Sequence, residues 1–127
     1  MAERSPGDLK KLIQQVFEAG EAMDIDRFAQ KFTEDAVYKF GNEPVVYGRQ
    51  EIAKADSIAA FNTTVNSIKH HIENMWELGN MLIVEMDVTY VRKDGEIFNL
   101  PACDTVWFDG NLVQRMNIYM DITPVLN

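Results

Sequence analysis

The chain has 127 residues, 46% of them hydrophobic and 25% charged, with a formal net charge of -8 and an isoelectric point near 4.6. That length suits one globular domain with one core, and the acidic balance argues against nucleic-acid binding, which needs clustered Lys and Arg to displace counterions. One cysteine, Cys103, excludes an internal disulfide, and no apolar run is long enough for a transmembrane helix.

The start, "MAERSPGDLKK", lacks the apolar stretch of a secretion signal, so a cytoplasmic setting without membrane attachment is the expectation. The first six residues read as disordered, and residues 1–127 as a single domain. From Asp8 to about Ala22, Leu9, Leu12, Ile13, Val16, Phe17 and Gly20 recur on one helical face, with Ser5 or Asp8 as the cap and Pro6 suited to the helix start. After "MDID", Ile25, Phe28, Ala29 and Phe32 repeat the spacing, giving a shorter helix begun at Asp24 or Asp26.

"DAVYKFGNEPVVYGR" alternates Ala36, Tyr38 and Phe40 against Val37 and Lys39 and turns at Gly41-Asn42-Glu43-Pro44, the pattern of a small hairpin. Helical spacing returns through Ile52, Ala55, Ile58 and Ala59, which predicts a third helix over roughly 49–61. Beyond it the period becomes two. Four segments, about 67–78, 81–92, 96–108 and 112–121, are joined by "LGN", "RKDG" and "FDGN", the turn chemistry of an antiparallel meander. Helices followed by a meander make an α+β domain with the helices packed on one face of the sheet and a hollow beneath them.

Parity along the strands selects what enters that hollow. Asp104 shares a face with Phe98, Leu100, Ala102, Val106 and Phe108, so it is exposed, paired, protonated or at work, because a bare carboxylate in such company costs several kcal/mol. Leu82, Val84, Met86, Val88 and Tyr90 are taken as inward, as are Ile68, His70, Ile72, Asn74 and Trp76. On the last strand Arg115, Asn117, Tyr119 and Asp121 share one face and Met116, Ile118 and Met120 the other, and parity does not choose between them. No His, Cys or Asp cluster has zinc-like spacing and no glycine-rich phosphate loop occurs, so neither metal nor cofactor is expected.

"FTEDAVYKF", "VYGRQEI" and the terminal "DTVWFDGNLVQRMNIYMDITPVL" resemble, in order and spacing, the NTF2-like superfamily in its branch of SnoaL-like polyketide cyclases, ketosteroid isomerase and limonene-epoxide hydrolase. The resemblance implies a cone: three N-terminal helices on a curved, mostly antiparallel sheet. It also points to the Asp121 face of the last strand as inward. The implied pocket holds Asp121, Asp104 and Tyr38 as catalytic candidates, with Phe40, His70, Asn74, Trp76, Tyr90, Ala102 and Tyr119 as ligand contacts.

Likeness to the isomerase places Asp104 on its oxyanion-hole acid, but the position of its base falls on Phe40 or Lys39. Likeness to the epoxide hydrolase matches Tyr38, Asp104 and Asp121, while Phe40 and Ala102 replace the Asn and Arg that position water and epoxide. The cyclase resemblance asks for less: one Asp in an apolar pocket as general acid or base on a carbonyl-type substrate, with Asp121 as that group and Asp104 as its neighbour. Against this stand plainer roles, in which both carboxyls only shape the cavity, Asp121 only ends the last strand before Pro124, and the domain binds a small hydrophobic ligand without turnover. A homodimer is expected through an outer face carrying Val45, Val46, Ile97, Trp107, Met116, Ile118 and Met120.

Overall fold

The structure is a computed structural model and describes residues 8–127. Ser5, Pro6 and the disorder expected over residues 1–6 lie outside the described residues. The leading helix α1 (Asp8–Glu21) buries Leu9, Ile13, Val16, Phe17 and Ala19, the stripe that its apolar spacing predicts. Helix α2 (Ile25–Ala29) starts where Asp24 caps it, its side chain accepting from the Arg27 nitrogen at 3.1 Å.

Strands β1 (Phe32–Phe40) and β2 (Val46–Tyr47) form the small hairpin. The single helix expected over 49–61 is two: α3 (Arg49–Ile52) and α4 (Asp56–Thr64), separated at Ala55, whose backbone is extended. Neither glycine nor proline marks that break. It lets Ile52 and Phe61 both reach the core, one at each side of the bend. Strands β3 (Val65–Leu78), β4 (Met81–Arg92), β5 (Ile97–Asp109) and β6 (Leu112–Tyr119) follow, and a last short helix α5 (Thr123–Leu126) closes the chain.

The six strands form one sheet in the order β2-β1-β6-β5-β4-β3. Strands β3 to β6 are the antiparallel meander, and β1 joins β6 in parallel, so the sheet is mostly antiparallel as expected. Irregular registers interrupt the β1/β6, β3/β4 and β5/β6 ladders, and bulges of this kind add bend and twist to a sheet. Gly41, at φ 51°, lies after β1; a Cβ there would stand 3.1 Å from the Met120 carbonyl oxygen, so the close approach of this turn to the end of β6 requires glycine.

Helices α1, α2 and α4 cover one sheet face, and the apolar side chains between them make the core. At the C-terminus Arg92 ties α5 down: its guanidinium donates to the carbonyl oxygens of Val125 and Asn127, pairs with Asp94 and Glu96, and lies over the Phe98 ring. That leaves Val125 fully buried.

Two facing expectations are corrected by register. On β6, Ile118 pairs with Asp104 and Met116 with Val106, and directly paired residues share a face. Met116, Ile118 and Met120 therefore point inward, and Tyr119 and Asp121 point out. On β3, Ile72 pairs with Met86 and Asn74 with Glu85, leaving Glu73 as an extra residue. One inserted residue moves everything after it to the other face. Asn74 and Trp76 are thus on the outer face, and Met75 takes the inward position opposite Val84.

Candidate functional site

A cavity opens between the concave sheet face and α1, α2 and α4. The space within it, together with the solvent at its open mouth, is about 740 Å³. Tyr38 and Phe40 come from β1, Ile68 and His70 from β3, Met86, Val88 and Tyr90 from β4, Ala102 and Asp104 from β5, and Met116, Ile118 and Met120 from the β6 end. Phe17 and Gly20 of α1, Met23 and Asp24 at the α1–α2 turn, and Phe61 and Asn62 of α4 complete the wall.

Of the residues expected here, Tyr38, Phe40, His70, Tyr90, Ala102 and Asp104 converge. Asn74, Trp76, Tyr119 and Asp121 do not. Asn74 donates to Glu85 on the outer face, and Trp76 and Tyr119 are 47% and 60% exposed. The Asp121 carboxylate instead accepts from the Thr123 nitrogen at 3.0 Å, an arrangement that starts α5 and holds the carboxyl below the usual carboxylate range. Asp104 and Asp121 lie on opposite faces, so the expected pair does not form.

Asp104 is 1% exposed and its Oδ1 has no hydrogen-bond partner in the protein. Burial alone pushes the carboxyl up from 3.8 to about 8, so it is neutral at pH 7 and carries a proton to donate. The Tyr38 and Tyr90 hydroxyls are pushed above their usual range, first by burial and then by Asp104, so both keep their protons. Tyr90 spends its proton on Met120 Sδ at 3.3 Å. Aromatic packing fixes this end: Phe61 stacks on Tyr90 with centroids 5.5 Å apart and meets Phe40 edge-on at 5.2 Å, while Phe32 and Phe28 approach Tyr38 edge-on.

At the β3 side, His70 is held by two residues of α1. Phe17 stacks on its ring with centroids 4.3 Å apart and planes 10° from parallel, and Glu21 Oε2 lies 2.8 Å from Nδ1. The same oxygen accepts from the His70 backbone nitrogen at 2.7 Å, and Lys69 lies 3.8 Å from Glu21 Oε1. Phe17 and Glu21 are four apart in a helix and so present to one neighbour. Burial lowers the His70 pKa against the opposing pull of Glu21, which leaves the ring neutral at pH 7. Glu21 escaped sequence reasoning; its only signal is the four-residue spacing from Phe17 on the apolar stripe. Among the described residues, no group of three or more His, Cys, Asp or Glu side chains is placed to hold a metal ion.

A hollow α+β cone with a buried carboxyl on a mostly apolar wall defines a small-molecule-pocket class of domain. Residues 13–116 match the model of the SnoaL-like domain, and the chain belongs to that family, within the NTF2-like superfamily. No curated protein matches. Among solved structures, it is similar to a protein of ketosteroid isomerase-like fold from Catenulispora acidiphila DSM 44928 in complex with trimethylamine, with TM-score 0.79, 15% identity, and coverage of 97% of this chain and 92% of that one. A protein described as a SnoaL-like polyketide cyclase from Jannaschia sp. CCS1 gives 0.76 at 19% identity, covering 99% and 95%. An epoxide hydrolase of M. tuberculosis, described as LEH-like, gives 0.75 at 14% identity, covering 93% and 86%. Identities this low speak for the fold alone.

Proposed function

We propose that the cavity takes a small, largely apolar carbonyl compound and performs acid–base chemistry of the isomerase or cyclase type, with Asp104 as the proton donor to the carbonyl oxygen. The observation that carries this reading is the Asp104 carboxyl: fully buried on the cavity wall, neutral, with Oδ1 unpartnered. A protonated carboxyl in an apolar site gives a carbonyl oxygen a strong hydrogen bond and stabilises the charge that grows on it when a nearby C–H bond is broken. Tyr38, the other hydroxyl at this wall, offers a second donor. The neighbouring folds of cyclase and isomerase type are consistent with this chemistry.

Epoxide hydrolysis is the weaker reading. The water-activating Asp that the resemblance assigned to position 121 is outside the cavity, and Phe40 and Ala102 add no polar group to hold a water.

Binding of β-tetralone, an apolar ketone, followed by calorimetry and by the infrared carbonyl band, tests the assignment. Wild type is expected to bind the ketone and shift its carbonyl band to lower frequency. Asp104→Leu should abolish the shift and weaken binding by roughly tenfold, the worth of one hydrogen bond of about 1.4 kcal/mol. Equal affinity and an unshifted band in wild type and variant would sink the role of Asp104. Ketone binding with no turnover of any enolisable carbonyl compound would favour a non-catalytic ligand carrier.

A further inference from the structure

The cavity holds a second titratable centre that the Asp104 reading does not use. His70 lines the wall, and its Nδ1 is engaged by the Glu21 carboxylate at 2.8 Å. Because Glu21 accepts, Nδ1 carries the hydrogen, and the lone pair of the ring is on Nε2. The ring cannot swing freely, since Phe17 is stacked on it. The backbone nitrogen of His70 donates to the same Glu21 oxygen, so the carboxylate is fixed relative to the strand as well as to the ring. An imidazole on the cavity wall, oriented by a carboxylate at Nδ1 and with its free lone pair on Nε2, is the arrangement of a general base.

We propose that His70 is the general base of this cavity, positioned by Glu21, and that it takes a proton from carbon several bonds away from the oxygen bound by Asp104. The separation follows from register. His70 pairs with Val88, Val88 pairs with Leu100, and Leu100 is four residues from Asp104 on β5. Two strand spacings of about 4.8 Å and four residues of about 3.3 Å put the two backbones about 16 Å apart on a flat sheet, a span that curvature and the two side chains shorten. A conjugated compound fits such a span, because a proton several bonds from the oxygen can be removed while the oxygen stays at Asp104. The ligand class is therefore a conjugated or fused-ring carbonyl compound, in which removal of a remote proton still delivers charge to the oxygen.

The step balances. The C–H proton passes to Nε2, its electron pair enters the conjugated system, and the carbonyl oxygen takes the Asp104 proton to give an enol and a carboxylate. Return of the Nε2 proton to a different carbon, with the enol proton going back to Asp104, completes an isomerisation without any added reactant.

The choice of ligand class rests on the Asp104 reading, but the base itself does not, so the test uses a probe that needs only a base. Nitrobenzisoxazole loses its C–H proton to a base while its N–O bond breaks, yielding a coloured cyanophenolate. Wild type is expected to eliminate it faster than an equal concentration of free imidazole. Glu21→Gln, which keeps an acceptor oxygen, should lower kcat about 10- to 100-fold with KM unchanged. His70→Ala should lose the reaction and regain part of it with added imidazole. Asp104→Asn should retain the dependence on His70. Full turnover in Glu21→Gln and His70→Ala, or no elimination by a wild type that binds the probe by calorimetry, would overturn the proposal. Failure of the Asp104 reading would show instead in the ketone band, with the elimination intact.

Discussion

Tyr90 on β4 donates its hydroxyl proton to Met120 Sδ at 3.3 Å, just past the end of β6, and so reaches across the strand that carries Asp104. The Asp104 carboxyl on that strand receives no compensating donor at Oδ1. Its burial is then tolerated by protonation, and the cavity contains an acid rather than an anion.

Protonation makes stability depend on pH in a defined direction. The folded-state pKa of Asp104, about 8, is above the ordinary 3.8. Folding therefore binds a proton between these values, and the stabilisation is fully present below the lower value and lost as pH rises through the upper one. Urea unfolding at successive pH values should show a contribution falling by up to about 1.4 kcal/mol per pH unit across this window and levelling above it. Asp104→Asn should flatten that part of the profile. A wild-type curve that rises steadily from pH 5 to 8 would contradict a neutral Asp104.

Ala102 faces the cavity one inward step along β5 from Asp104, opposite Met86. Ala102→Phe should put a ring into the empty space beside the carboxyl. Binding of β-tetralone is expected to weaken at least about tenfold, while the unfolding free energy changes by less than about 1 kcal/mol because the added ring enters a void rather than a packed wall. Unchanged ketone affinity would mean that the ligand sits elsewhere.

Asp121→Asn separates the two carboxyls. Since Asp121 is exposed and only accepts from the Thr123 nitrogen beyond β6, the variant should bind β-tetralone and eliminate nitrobenzisoxazole as wild type does. Loss of either activity, with an unchanged circular dichroism spectrum, would require that the β6 end rearrange to bring Asp121 inward.

The homodimer expectation changes its residues, because Met116, Ile118 and Met120 belong to the cavity. We propose a second copy of the chain on the outer sheet face near Trp76 and Leu78, which are 47% and 58% exposed, with the partly buried Met81, Ile83 and Trp107 alongside. Sedimentation should give twice the mass of 14.5 kDa, and Leu78→Lys should shift the population toward monomer. Association should strengthen with salt, since each copy carries a net charge of -8. A wild-type monomer at all concentrations would end this reading.

Much of the site was legible because strand period is two. Given β5 alone, Phe98, Leu100, Ala102 and Asp104 had to share a face, and the meander fixed Tyr90, Val88, Met86 and Val84 opposite them. What failed was parity with no internal reference. The extra residue Glu73 turned Asn74 and Trp76 outward, and bulges leave no mark in a run where polar and apolar residues already mix. On β6 parity alone named two faces without ranking them, and family likeness chose the polar face of Tyr119 and Asp121 over the apolar face of Met116, Ile118 and Met120, which the sheet turns inward.

The sequence by itself determined the helices-then-strands order, the antiparallel meander, the acidic net charge and the presence of a carboxyl among apolar neighbours, because these depend on spacing and composition within a few residues. Only the tertiary structure decided that Asp104 stands without Asp121 and that His70 works against Glu21, residues 49 apart in the chain. Contacts across such distances depend on the register of the sheet and on where α1 lies across it, and no local pattern encodes either.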